Sequence, residues 1–198
     1  AWFMSRFYDK DRQMLKKEIT SRMQNVRRTA LNKSLIEKDV ELKNGYSIRE
    51  LYSGDIKALT DLYQNVFKTY PFPIQDPDYI SATMADHVKY FGVFHGDKLA
   101  AASSAEMDIE NSNAEMTDFA THPVYRGSGL AVNLLQFMET HMPDHGILLC
   151  YTIARALSFA MNITFAKLGY RFGGTLINNT QISGGVESMN IWYKSIAY

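Results

Sequence analysis

A glycine-containing turn has the clearest chemical potential in this sequence of 198 residues. Residues 126–131 read Arg-Gly-Ser-Gly-Leu-Ala, and they join a predicted strand that ends at Thr121 to a predicted helix over 129–141. Glycine permits tight backbone conformations, and a helix start offers unpaired N–H groups and the positive end of a dipole, which suits a pyrophosphate. The turn lacks the Gly-Lys-Ser/Thr of a P-loop and the third glycine of the dinucleotide fingerprint. Taken alone, it is equally compatible with a structural turn.

Other residues that could do chemistry form weaker patterns. His141 and His145 are four apart, but Pro143 breaks the helix between them, so no metal site is expected. Cys150 is the only cysteine, which excludes an internal disulfide and a cysteine-rich zinc site. We expect Cys150 to be inert core, and its isolation favours a reducing, cytoplasmic location.

Charge divides the chain near Asn44-Gly45. Residues 1–44 hold 11 Lys and Arg against 6 Asp and Glu, whereas residues 45–198 hold 10 against 15. The net charge of zero argues against a nucleic-acid partner, and the apolar runs are too short for a membrane span. We predict a basic helical arm over 1–44, the tail of a truncated N-terminal region, and one domain over 45–198.

The positions of apolar residues and turn residues predict the elements around these groups. An amphipathic helix is expected within 9–38. From residue 45 the predicted order is β-α-α-β-β-β-α-β-α-β-β, with a hairpin turn at 95–97. The last two strands are expected within 170–193, around turn residues at 178–179 and 184–185. This order predicts a mixed α/β domain of the α+β class.

The turn in this context resembles the acyl-CoA motif of the GNAT acetyltransferase superfamily, Arg/Gln-x-x-Gly-x-Gly/Ala, at Arg126, Gly129 and Ala131. Residues 165–170, Phe-Ala-Lys-Leu-Gly-Tyr, resemble its second signature. Segments spread over 46–194 also resemble the beta-lysine N-acetyltransferases of this superfamily. The resemblance implies a GNAT fold, in which a mostly antiparallel central sheet, flanked by helices, splays at the acetyl-CoA site.

The resemblance also implies an activity. Acetyl-CoA would donate its acetyl group directly to the ε-amino group of β-lysine, giving the compatible solute Nε-acetyl-β-lysine, with no acyl-enzyme. Transfer to another small amine, such as a polyamine or an amino acid, or to a protein lysine is an alternative. A second alternative is a non-catalytic acyl-CoA sensor. A homodimer is left open.

In the superfamily, the pantetheine arm pairs with the main chain at the splayed strand, and helix-start N–H groups hold the pyrophosphate. The residues implied for acetyl-CoA are Phe119, Ala120, Thr121, Arg126, Gly127, Ser128, Gly129, Leu130, Ala131 and Asn162.

Removal of a proton from the acceptor needs a base, because a lysine-like amine has a pKa of ~10.4. Glu115 and Asp118 are three apart on one predicted strand, so we expect them on opposite faces with only one in the site. The family position favours Glu115 as the base. The tyrosine that often protonates the departing thiolate is replaced by Phe165, which leaves Tyr151 and Tyr170 as candidate acids.

Acceptor contacts are expected from aromatic walls, from carboxylates for the amines, and from an arginine for the carboxylate of β-lysine. A surface role for the arginine and a loop-packing role for the aromatic residues stay open. These candidates are Tyr70, Phe72, Glu106, Asp118, Arg155, Asn179 and Glu187.

Overall fold

Seven strands form one mixed sheet in the order β1-β2-β3-β4-β5-β7-β6 in the computed structural model, which describes residues 6–8, 10–37 and 40–197. Neighbouring strands are antiparallel except β4 and β5, which are parallel. The predicted, mostly antiparallel sheet is therefore confirmed. The strands are β1 Tyr46–Glu50, β2 Val88–His95, β3 Lys98–Asp108, β4 Asn113–Thr121, β5 Leu149–Arg155, β6 Arg171–Ile182 and β7 Gly185–Ser195.

Helices cover both faces of the sheet and create two apolar cores. One core lies under α3 and α4 and includes Tyr63 and Tyr90; the other lies under α2, α5 and α6 and includes Phe165 and Trp192. The element order from residue 45 matches the predicted order. The helices are α1 Lys10–Gln13, α2 Lys17–Leu31, α3 Ile56–Val66, α4 Pro77–Ala85, α5 Leu130–His141 and α6 Phe159–Lys167.

Local sequence explains several of these boundaries. The β2–β3 hairpin turns at Gly96, whose φ of +57° favours glycine. Helix α4 begins with Pro77 after the cap residue Asp76, whose side chain accepts a hydrogen bond from the Asp78 N–H in the first turn of the helix. Ser158 caps α6 in the same way.

The N-terminal arm packs against the domain, but it is not one helix. The helix predicted within 9–38 is interrupted at 14–16, and residues 9 and 38 lie outside the described part of the chain. Val26 and Ala30 are buried, and the N–H of Ile36 donates to the carbonyl of Lys167 at 2.8 Å. The apolar spacing of three and four residues predicts Met14 on the apolar face of this helix, but Met14 is 71% exposed because it lies in the break between α1 and α2. The boundary at residue 44 stays a prediction.

Strand β6 continues through 178–179 instead of turning there. The register with β7 shifts between Leu176 and Thr180, and Asn178 has a φ of +45°. The arm contacts this irregularity, because the Arg12 guanidinium donates to the carbonyls of Asn178 and Asn179.

Among the described helices, we find none with the length and apolar character needed to cross a membrane.

Candidate active site

A cleft opens where the two parallel strands diverge. Strands β4 and β5 pair at three positions only, and the last pair is Glu115 with Tyr151. Beyond this pair β4 runs on to Thr121 and β5 to Arg155 without pairing to each other. The facing edges therefore keep main-chain groups that can pair with an inserted ligand.

A bulge in β4 sets the direction of the side chains in the cleft. Ser104 of β3 lies opposite Thr117 and Ala102 lies opposite Ala120, so β4 carries one extra residue between these pairs. Asp118 sits in this bulge with a φ of +55°. A bulge of this kind breaks the strict alternation of faces along a strand.

The prediction that Glu115 and Asp118 point to opposite faces is consequently wrong. The Asp118 carboxylate accepts a hydrogen bond from Ser104, which lies on the α3/α4 face, and Glu115 lies on this face as well. Phe119 turns the other way, and its ring centroid is 5.6 Å from that of Phe165. The regular alternation of side chains between the two faces gave the wrong answer, because the extra residue in β4 reverses that alternation after Thr117.

Three carboxyl groups form an acidic cluster on this face: Glu106, Glu115 and Asp118. Glu106 is the direct cross-strand partner of Glu115. Burial first, and then the charges of Glu106 and Asp118, raise the pKa of Glu115 to about 8, against a smaller lowering effect of the Ile153 N–H. Burial and the charge of Asp118 also raise the pKa of Glu106. A carboxyl group with a pKa near neutrality is suited to general-base chemistry.

Asp118 is itself buried and bridged by two hydroxyl groups. Its Oδ1 accepts from the Tyr70 hydroxyl at 2.5 Å, and its Oδ2 accepts from the Ser104 hydroxyl at 2.7 Å. Burial raises the pKa of Asp118, while these hydrogen bonds oppose the rise. Tyr70 is therefore brought to the cluster, whereas Phe72 is 54% exposed.

Tyr151, one of the two candidate acids, lies beside the acidic cluster. It pairs with Glu115 across the strands, and burial and the charge of Glu115 raise the pKa of Tyr151 to about 12. Tyr170 lies in the opposite core, where its ring packs against Phe165. Burial raises the pKa of Cys150 in the same core to about 12, which makes its thiol unreactive at neutral pH.

The glycine turn has the geometry of an anion cradle. Gly127 and Gly129 have φ values of +78° and +80°, and a Cβ on either would meet nothing within 4 Å. Helix α5 begins directly afterwards at Leu130. Within the described part of the chain, no backbone carbonyl accepts from the N–H groups of residues 127–131. The turn thus presents consecutive free N–H groups at the start of a helix of 12 residues.

Asn162 does not fit its predicted contact with acetyl-CoA. Its side chain is fully buried, and its Nδ2 donates to the carbonyls of Arg155 and Ser158 at 3.0 and 2.7 Å. Its Oδ1 accepts from Asn190 and Trp192 at 2.8 and 2.9 Å. Because the two donors and two acceptor positions are all used, this side chain fastens α6 to β5 and β7.

The other predicted acceptor residues outside the cluster lie in two separate places. Arg155 and Glu187 form a bidentate ion pair at 2.9 and 2.6 Å, so each supplies the other with a partner. Asn179 is part of the arm contact at Arg12, and its amide donates to the Thr180 hydroxyl. The structure brings Tyr70, Glu106, Glu115 and Asp118 close together. It places Asn179 apart from them, at the irregularity in β6.

Two polar groups of the site, the Ser104 hydroxyl and the Ile153 N–H, were not predicted from the sequence. Ser104 is a buried hydroxyl in a strand of small apolar residues, and this contrast is a signal that could have found it. The Ile153 N–H has no sequence signal, because any residue supplies it. In the described ranges, no group of three or more His, Cys, Asp or Glu is arranged to hold a metal ion.

The fold, cleft and turn agree with the comparisons to known proteins. The sequence profile of the acetyltransferase (GNAT) family matches residues 56–170, and the chain belongs to this family. It is 44% identical over 196 residues to the beta-lysine N(6)-acetyltransferase of Methanococcus maripaludis, covering 98% of this chain and 70% of that protein. It is 41% identical over 151 residues to the N-acetyltransferase YodP of Bacillus subtilis, covering 76% of this chain and 55% of that protein.

Among solved structures, yncA of Salmonella typhimurium, described with its cofactor acetyl-CoA, has a TM-score of 0.66 and 16% identity. The match covers 78% of this chain and 95% of that one, and it shows the shared fold. The predicted GNAT resemblance and fold are confirmed, and so is the predicted class of enzyme, an N-acetyltransferase that uses acetyl-CoA.

Proposed function

We propose that this chain transfers the acetyl group of acetyl-CoA to the ε-amino group of β-lysine and so produces Nε-acetyl-β-lysine, a compatible solute. The observation that carries this proposal is the cluster of Glu106, Glu115 and Asp118 at the divergence of β4 and β5, because it would attract a cationic acceptor. The similarity to the Methanococcus protein with that activity in its name supports β-lysine as the acceptor.

Acetyl-CoA would occupy the cleft and the glycine turn. The open edge of β4 at Phe119, Ala120 and Thr121 offers main-chain groups to the pantetheine arm. The N–H groups of residues 127–131 would bind the pyrophosphate, and a main-chain N–H near Phe119 would polarise the thioester carbonyl.

Glu115 is the proposed base. An ε-ammonium group beside it would favour the ionised carboxylate, which then accepts a proton from the nitrogen. The free amine attacks the thioester carbon, the C–N bond forms, and the C–S bond breaks. The second proton passes from the nitrogen to water. The thiolate gains a proton either directly from water or from Tyr151, which then regains one from water. A pKa of about 12 keeps the Tyr151 hydroxyl protonated at neutral pH, so it can donate a hydrogen bond to the departing thiolate, although it is a weaker acid than an ordinary tyrosine.

Arg155 and Glu187 would recognise the other end of the acceptor. The carboxylate and β-ammonium of β-lysine form a zwitterion, and a paired guanidinium and carboxylate is its complement. Arg155 follows Ile153 by two residues on the same strand face, so the pair lies about 7 Å further along β5 than the Ile153 N–H that faces Glu115. An extended lysine side chain spans a similar distance. The proposed location is the cytoplasm, and a homodimer stays open.

A thiol-release assay with β-lysine, α-lysine, spermidine and a histone peptide tests the acceptor. We expect the highest kcat/KM for β-lysine and a product acetylated on the ε-nitrogen, identified by mass spectrometry. Equal or faster turnover of α-lysine or the peptide would refute the specific acceptor. Binding of acetyl-CoA with no turnover of any amine would instead support a sensor. Trapping of acetylated Cys150 would overturn direct transfer.

A further inference from the structure

Asp118 combines a strained backbone conformation with two hydrogen bonds to its side chain. It is a buried non-glycine residue with a φ of +55°, a conformation that costs about 1 kcal/mol or more unless its surroundings hold it. The hydroxyls of Ser104 and Tyr70 hold the two carboxylate oxygens. Ser104 belongs to the neighbouring strand, whereas Tyr70 belongs to the loop between α3 and α4.

This loop, residues 67–76, also makes hydrogen bonds to another part of the chain and within itself. The Gly184 N–H donates to the Thr69 hydroxyl at 2.7 Å, which ties the loop to the β6–β7 turn. The Gln75 side chain donates to the Phe67 carbonyl at 2.7 Å, which closes the loop on itself. The loop thus bridges the β6–β7 turn and the bulge, beside the acidic cluster.

We propose that Asp118 is a positioning residue that couples the acceptor side of the cleft to the acetyl-CoA side. Through Tyr70 it fixes the loop over the acidic cluster. Through its left-handed backbone it sets the direction of the Phe119–Ala120–Thr121 main chain. Acetyl-CoA pairing with that main chain would therefore stabilise the loop in the position that the Tyr70–Asp118 hydrogen bond defines and strengthen binding of the acceptor. This inference rests on the proposed acetyl transfer, and it assigns Asp118 and Tyr70 to positioning instead of direct contact with the acceptor.

The cleanest test removes one hydroxyl. Tyr70→Phe deletes the contact with Asp118, and Tyr90→Phe is the matched control, because its buried hydroxyl bonds to Thr83 of α4 at 2.9 Å. We expect Tyr70→Phe to raise the acceptor KM about tenfold or more, as loss of a hydrogen bond to a buried charged group predicts. The affinity for acetyl-CoA alone should stay within about twofold. Tyr90→Phe should lower thermal stability similarly but leave the acceptor KM unchanged.

A second pair of variants tests whether Tyr70 acts through Asp118. Asp118→Gly keeps the backbone free to adopt a positive φ but removes the carboxylate, and Asp118→Asn tolerates this φ and keeps one acceptor. We expect Asp118→Gly to match Tyr70→Phe in acceptor KM, the double variant to be no worse than Asp118→Gly, and Asp118→Asn to recover part of the loss. Independent, additive effects of the two substitutions would overturn the coupling.

Hydrogen exchange separates this inference from the proposed function. We expect amides of residues 67–76 to exchange more slowly when acetyl-CoA is added to the wild-type protein, and this protection to be lost in Tyr70→Phe. Protection that is equal in both proteins would refute the coupling even if β-lysine is the acceptor. Loss of protection would support the coupling even if another amine is the acceptor.

Discussion

Glu115→Gln tests the central chemical assignment, because it keeps the shape of the side chain and removes its charge. The amide oxygen can still accept the Ile153 N–H. A positioned general base contributes about 10²- to 10⁴-fold to the rate, so we expect kcat to fall by at least about 100-fold with acetyl-CoA affinity retained. Steady-state kinetics and calorimetric titration of acetyl-CoA measure the two quantities.

The pH profile makes this prediction sharper. The base must be ionised, so kcat/KM for the acceptor should rise with pH through about 8 in the wild-type enzyme. The profile of kcat should rise at lower pH, since the bound ammonium favours the carboxylate. In Glu115→Gln the rise near pH 8 should be absent. A variant with activity within threefold of wild type and the same rise would refute Glu115 as the base.

Stability provides a measurement that does not depend on the acceptor. Raising the pKa of Glu115 from 4.5 to about 8 corresponds to about 5 kcal/mol, an upper bound, for ionising this group in the folded protein. Because the folded state holds the proton more tightly, this stabilisation of the protonated form is complete below pH 4.5 and is lost as pH rises through 8. At pH 7 the loss is about 3 kcal/mol.

Glu115→Gln should therefore match the wild-type protein in urea unfolding at pH 4 and be the more stable protein at pH 9. Glu106→Gln is the matched control, because it removes the neighbouring charge but leaves the ionisable group. An unfolding difference between Glu115→Gln and wild type that stays constant from pH 4 to 9 would show that Glu115 does not titrate in a buried setting.

Three further predictions concern other parts of the chain. Gly129→Val should weaken acetyl-CoA binding at least about tenfold, because φ is +80° there, whereas Ser128→Ala should have little effect in the same calorimetric titration; equal effects would contradict a main-chain cradle. Cys150→Ala should change kcat less than about twofold, and iodoacetamide should not label Cys150 in the folded protein, because its pKa is about 12; rapid labelling would contradict its burial. The acceptor KM should rise with ionic strength, because the domain from residue 45 carries an excess of five negative charges. A constant KM would show that this net charge does not attract the cationic acceptor.

The fold was predictable because its signals are local. Apolar spacing marks the helices, Gly96 marks the turn between strands β2 and β3, and residues 126–131 mark the turn that leads from β4 to α5. The helical arm was less predictable, since its apolar pattern continues across a break at 14–16. Spacing alone reports which residues share a face, not whether the helix continues between them.

The sequence by itself determined the family, the glycine turn and the identity of Glu115 as a carboxylate on the strand before that turn. Only the tertiary structure decided the surroundings of that carboxylate. The bulge placed Asp118 beside it, the register placed Glu106 opposite it, and hydrogen bonds occupied Asn162 completely. The physical reason is that alternation, register and burial depend on how separate strands pair, and a pKa depends on charges that come together only when they do.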